Sequence, residues 1–196
     1  DGSHDVGYYF PEEQEVNILR EIRTGDWNNM SIKTDGKSYK GMYLTMWIKH
    51  GEKAKDGSYE YIVIPKCNEE EIKDYYRKSG IRVIENSDSI QCVKKNGITG
   101  IVFLKDKTHS AGGVSCDKRC VVMTAQNGEE LELSVADITH NHDRLYIELD
   151  YSAQSVMTKS ERINVIQLVP YICMEINMNV AKGEEQHIKF GGVKNV

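Results

Sequence analysis

The sequence predicts an all-β protein with one short connecting helix. Three observations carry that reading. Apolar residues alternate with polar ones over runs of strand length. Two Asn-Gly pairs, Asn96-Gly97 and Asn127-Gly128, sit between such runs, where two-residue hairpin turns need residues that tolerate positive φ. Strand patterns and helix patterns do not alternate along the chain, so a parallel α/β sheet is not indicated.

The elements follow in chain order. "EVNILREIR" (15–23) places Val16, Ile18, Arg20 and Ile22 on one side of a strand. "YKGMYLTMWIKH" places Met42, Leu44, Met46 and Ile48 on one face and Tyr43, Thr45 and Trp47 on the other. "SYEYIVIP" is aromatic and β-branched and stops at Pro65. The stretch 42–66 therefore reads as a hairpin, with Asp56-Gly57 assisting its turn. Helix signals follow. Asn68 is a good N-cap and Glu71, three residues later, completes a capping box. Glu69 to Glu71 suit the positive end of the helix dipole, Arg77 and Lys78 its negative end, and Gly80 a stop. The helix is expected to turn Ile72 and Tyr75 or Tyr76 inward. After Gly80, hairpins repeat through "SIQCVKKNGITGIVFL", "CVVMTAQNGEELELSV", "RLYIELD", "RINVIQLV", "YICMEINMNV" and "QHIKF", with turn signals at the spacing of a β-sandwich.

Composition excludes several functions. The 196 residues carry a net charge of -5, with no Lys/Arg run, so a nucleic-acid partner is not expected. No apolar run approaches the roughly 20 residues of a membrane-spanning helix. No secretory signal is present, and the chain opens on Asp1 rather than Met, which reads as a truncated or processed start. The five cysteines cannot all pair internally. Cys67, Cys92 and Cys173 read as small buried residues. Cys116 and Cys120 in "SCDKRC" form the only close pair. Zinc would need two further ligands at metal spacing, and a disulfide between the two stays open beside the plainer reading of two packed thiols.

Several residues carry a chemical reading beside a plainer one. His140, His142 and Asp143 in "THNHD" have spacing for a metal grip, but the segment falls where a turn is needed and reads as a solvated turn. His50 reads as a strand-end residue, since a general base needs a partner within hydrogen-bond reach. "AGGVS" (111–115) lacks the Lys-Ser/Thr of a phosphate loop and reads as a loop or bulge. Trp27, beside Asn28 and Asn29 in a polar turn, offers a ring to stack on a sugar face and amides for its hydroxyls; the plainer reading buries Trp27 as a core plug. No catalytic residue and no metal site is assigned, and for calcium no ligands can be chosen among generic acidic turns.

Three ordered stretches carry a resemblance: "VGYYFPEEQEVNILREIRTGDWNNM", "LTMWIKHGEKAKDGSYEYIVIPKCNEEEIKDY" and "IRVIENSDSIQCVKKNGITGIVFL". With Arg23-Thr24-Gly25, Trp27, His50-Gly51, Ser58-Tyr59, Tyr61 and Pro65 in order, residues 6–150 resemble the C-terminal portion of the family eight polysaccharide lyases, the hyaluronate, chondroitin AC and xanthan lyases. The resemblance implies the end of an antiparallel β-supersandwich over residues 1–79 and a small C-terminal β-sandwich over 80–196. It implies a parent enzyme with an N-terminal helical toroid domain, acting on a polysaccharide substrate by β-elimination at a uronic acid, and a secreted or periplasmic bacterial location. The family's catalytic Asn, His, Tyr and Arg lie in the toroid, so none maps onto this chain. The expected role is non-catalytic support of the cleft. The alternative is a stand-alone carbohydrate-binding β-sandwich module. The cysteine content and "AGGVSCDKRC" depart from the family pattern.

Overall fold

The computed structural model describes residues 6–27 and 36–196. The chain divides into two compact units, residues 1–72 and 73–196.

In the first unit, β1 (Val6–Tyr9), β2 (Val16–Asp26), β3 (Ser38–Ile48) and β4 (Ile62–Pro65) form two antiparallel pairs. β1 pairs with β4, and β2 with β3 over a register from Val16↔Ile48 to Asp26↔Ser38. The hairpin expected over 42–66 is not formed. Its two strands belong to different sheets, β3 beside β2 and β4 beside β1. The cause is length. Residues 49–61 are too many for a tight turn, and the 11-residue β3 satisfies far more backbone groups against the 11-residue β2 than against the 4-residue β4. The alternation itself is as read, with Ile18 opposite Met46 and Ile22 opposite Met42 on one face. That face is not a core: Ile18, Ile22, Met42 and Leu44 are 63, 65, 57 and 55% exposed.

The helix α1 spans Glu69–Ser79. The capping box is closed in both directions. The Glu71 amide donates to Asn68 Oδ1 and the Asn68 amide to Glu71 Oε2, each at 2.9 Å. Gly80 follows at φ +69°, a C-terminal stop that a Cβ would strain. Ile72, Tyr75 and Tyr76 are half-buried, as the spacing predicted.

In the second unit, β5 (Ile81–Asn86), β6 (Ile90–Lys95), β7 (Ile98–Phe103), β8 (His109–Ala111), β9 (Val114–Cys116), β10 (Cys120–Asn127) and β11 (Glu130–Ala136) come first. β12 (Arg144–Leu149), β13 (Tyr151–Ser152), β14 (Ser155–Lys159), β15 (Ile163–Gln167), β16 (Ile172–Asn177), β17 (Gln186–Gly191) and β18 (Lys194–Asn195) complete it. One sheet runs β14-β17-β11-β10-β7-β6-β5 and the other β15-β16-β12-β9-β8, with β13-β18 as a small third pair. Both Asn-Gly signals mark hairpins. Lys95 pairs with Ile98 across Asn96-Gly97, and Asn96 adopts φ +53°. In the other, Asn127 is still a strand residue paired with Glu130, and Gly128 at φ +60° takes the first loop position. "AGGVS" is a third tight hairpin: Ala111 pairs with Val114, and Gly112 and Gly113 turn the chain at φ +61° and +84°.

The core lies between the two larger sheets. Period-2 burial puts Leu131, Leu133 and Val135 of β11 and Leu145, Ile147 and Leu149 of β12 inside, all within one cluster with Phe103, Phe190 and Met174. All five cysteines are buried, and Cys116 and Cys120 stand as neighbouring unbonded thiols in this structure, which fits the reading of Cys67, Cys92 and Cys173 as packed small residues.

Candidate functional site

The first unit contains an open cleft of about 540 Å³ whose walls are mainly aromatic. Tyr59 and Tyr61 stand two residues apart in extended chain, so their rings project to one side. They stack 6.1 Å apart at 20°. Phe10, just after β1, lies 6.2 Å from Tyr61, and His50 lies 6.1 Å from Tyr59. Tyr8 of β1 and Trp47 of β3 complete the aromatic lining. Gly57 makes room for the imidazole, because a Cβ there would sit 2.9 Å from His50 Nδ1. Tyr59 and Tyr61 remain 57 and 51% exposed, so the ring faces are open to a ligand. Among the described residues no carboxylate hydrogen-bonds His50, so the cleft holds stacking surfaces rather than an acid–base pair.

Trp27 is 58% exposed at the end of β2 and is not a core plug. It does not line the cleft. Asn28 and Asn29 lie outside the described residues.

The second polar constellation is in the sandwich. His142 is not solvated: its side chain is 12% exposed and hooked between two carboxylates. Nδ1 lies 3.0 Å from Asp137 Oδ1 and Nε2 2.9 Å from Asp106 Oδ1. Asp137, 2% exposed, also accepts from the Thr139 amide at 2.8 Å, the Thr139 hydroxyl at 2.7 Å and the His142 amide at 3.0 Å. Burial alone would raise its pKa, but these hydrogen bonds outweigh it and hold the carboxyl at about 2. The Arg119 amide and guanidinium hold Asp106 at about 2 as well. The expected turn in "THNHD" is present, with His140 at φ +58°, but the solvated-turn reading fails for His142 because Asp137 and Asp106 desolvate and capture it. Asp106 is 36 residues from His142, so no local pattern could reveal the contact. The pairing of Asp137 with Thr139 was available as a side-chain-to-backbone turn signal. Among the described residues, no group of three or more His, Cys, Asp or Glu side chains is arranged to hold a metal ion.

Comparison with known proteins places these units. Residues 2–76 match the polysaccharide lyase family 8 super-sandwich domain, and residues 82–145 match that family's C-terminal beta-sandwich domain. The chain is 35% identical to the xanthan lyase of Bacillus sp. (strain GL1) over 97% of its own length and 21% of that protein's. It is 29% identical to the hyaluronate lyase HylB of Enterococcus faecalis over 81% of its length and 16% of that protein's. The structure of a Paenibacillus xanthan lyase superposes with a TM-score of 0.86 at 32% identity, covering 96% of this chain and 19% of that one. A Streptomyces coelicolor chondroitin AC lyase shares the fold, with a TM-score of 0.76 at 20% identity over 90% of this chain and 24% of that one. The chain thus spans about a fifth of the length of the xanthan lyases it matches. With two successive domains of one family matched in order over 2–76 and 82–145, the chain belongs to polysaccharide lyase family 8.

Proposed function

We propose that the chain is the non-catalytic C-terminal β-portion of a polysaccharide lyase that cleaves uronic-acid-containing glycans of the chondroitin or hyaluronan type by β-elimination. Residues 1–79 complete the super-sandwich, residues 80–196 form the terminal sandwich, and together they support the cleft of a secreted or periplasmic enzyme whose catalytic groups lie on an N-terminal helical toroid. The observation that carries this reading is the ordered match to the two family 8 domains in a chain that covers only 21% of the xanthan lyase.

The chemistry of the chain supports it. β-Elimination needs a base at the C5 proton and donors that neutralise the uronate charge as it develops. Both ring nitrogens of His142 are engaged by carboxylates, Asp137 and Asp106. His50 stands among aromatic rings. The exposed apolar face of β2 and β3 suits burial against further strands of a longer super-sandwich. Incubating the purified chain with chondroitin, hyaluronan or xanthan should give no rise in the ultraviolet absorbance of unsaturated uronate. A sustained rise would overturn the non-catalytic assignment.

A second reading, a carbohydrate-binding module, is favoured by the open aromatic cleft and exposed Trp27. Affinity electrophoresis with the same glycans tests it. Retardation abolished by Tyr61→Ala or Trp27→Ala supports the module, and no retardation removes it.

A further inference from the structure

We infer that Cys116 and Cys120 form an intramolecular disulfide that fastens the two sheets of the sandwich to each other. Cys116 is the last residue of β9, in the five-stranded sheet, and Cys120 the first of β10, in the seven-stranded sheet. Only Asp117, Lys118 and Arg119 separate them, so the chain crosses from one sheet to the other within three residues. Both side chains point into the core, 1 and 0% exposed, and their sulfurs are 3.4 Å apart. A disulfide needs about 2.05 Å, so the two sulfurs lie about 1.4 Å beyond bonding distance. The connecting residues are held from outside. The Tyr146 amide donates to Asp117 Oδ1 at 2.8 Å, and Arg119 is bound to Asp106 at 3.0 Å through its amide. Those anchors keep both sulfurs facing inward. Cys67 and Cys173 have other neighbours, the Ile64 carbonyl at 3.2 Å and the Tyr146 hydroxyl at 3.0 Å. One bridge and three thiols therefore account for the odd total of five cysteines.

The two thiols are chemically unequal. The Cys120 S–H donates to Cys116 Sγ, which lowers the Cys116 thiol and raises that of Cys120. That inequality belongs to the folded core; in the folding chain either cysteine can open the exchange, here Cys116. Its thiolate attacks one sulfur of an external disulfide and expels a thiolate, leaving a mixed disulfide. Cys120 then loses its proton and attacks Cys116 Sγ, expelling the second thiolate. Two protein thiols lose two electrons in total, and the external disulfide is reduced to two thiols. Because both sulfurs are buried in the closed sandwich, the reaction belongs to the folding chain, before the core excludes the oxidant.

The sequence between the cysteines makes the product easy to detect. Trypsin cuts after Lys118 and Arg119, which separates residues 108–118 from 120–144 unless Cys116 and Cys120 are bridged. The full chain is refolded from urea with oxidised glutathione, alkylated under denaturing conditions, digested and weighed. The expected result is a linked pair of peptides that separates on reduction, three alkylated thiols in the intact chain, and loss of the linked pair in Cys116→Ser. Recovery of the two peptides singly, each alkylated, overturns the assignment, as does a bridge from Cys116 to any other cysteine.

Discussion

Removing the Asp137 carboxylate should release the loops at one end of the sandwich, and its size can be worked from the contacts. Asp137 receives four hydrogen bonds, from the Thr139 amide and hydroxyl and from the His142 amide and ring. Hydrogen bonds to a charged group contribute about 1.5–3 kcal/mol each, and a stranded buried donor costs about 1–3 kcal/mol. The four share one carboxylate and do not add, so Asp137→Ala should destabilise the second unit by about 4 kcal/mol. Asp137→Asn keeps one carbonyl acceptor and should lose about 2 kcal/mol. The titration gives an independent figure. A carboxyl held at about 2 in the fold, against about 3.9 unfolded, represents roughly 2–3 kcal/mol. Because the folded pKa is the depressed one, that stability is present above pH ~4 and is lost as the pH falls towards 2. The assay must report on the second unit. Both tryptophans, Trp27 and Trp47, lie in the first, so urea unfolding should be followed by far-ultraviolet circular dichroism and by amide exchange across 131–135. The two variants should unfold at lower urea with unchanged slope, and Asp137→Asn should lose the Asp137 share of the stability change between pH 4 and 2 while the share of Asp106 remains. A shift under about 0.5 kcal/mol for Asp137→Ala, within the range of neutral surface substitutions, would refute the hook as a source of stability.

Three further outcomes follow from the same reasoning. Asn68→Ala removes the Oδ1 acceptor of the Glu71 amide while keeping the backbone amide that donates to Glu71 Oε2, and should destabilise α1 by about 1 kcal/mol, read as faster amide exchange over 69–72. Gly97→Ala drives a methyl into the Gln126 carbonyl oxygen, on the strand paired with β7, and should cost more than 2 kcal/mol in thermal unfolding, as severe overpacking does. Ile22→Lys, at a position 65% exposed, should change the melting of this chain by less than the equivalent of about 0.5 kcal/mol; a large loss would show that the ribbon face is packed.

Local signals were legible in the sequence and distant pairings were not. The capping box, the stop at Gly80 and the turn at Asn96 are set by residues within four positions of one another, and each appears in the structure. The 42–66 segment went wrong because alternation fixes which face a side chain takes but not which strand lies alongside, and β2 outcompeted β4 as a partner for β3. His142 went wrong for a related reason. A His-rich turn looks solvated until Asp106, from the loop after β7, closes over it. The aromatic cleft was half-visible. Tyr59 and Tyr61 could be placed on one side of an extended segment, but the arrival of Phe10 and Tyr8 depends on the pairing of β1 with β4.

The two units differ in how they are held together, and this leads to a last prediction. Among the described residues, 27 hydrophobic side chains are buried; those of the first unit are Ile64 and Cys67, and the second unit holds the other 25. A two-stranded ribbon is marginal in water unless something covers its apolar face, and β2 and β3 expose Ile18, Ile22, Met42 and Leu44. The second unit encloses its apolar residues in one cluster between two sheets. A fragment of residues 73–196 should therefore fold cooperatively, with far-ultraviolet circular dichroism of β type and a single urea transition. A fragment of residues 1–72 should show no cooperative transition and should bind the dye ANS. Limited proteolysis of the intact chain should accordingly cut within 10–62 and leave a resistant core that contains 81–191. Cleavage first within 81–191, or a cooperative transition in the 1–72 fragment, would show that the ribbon has stability the exposed faces do not explain.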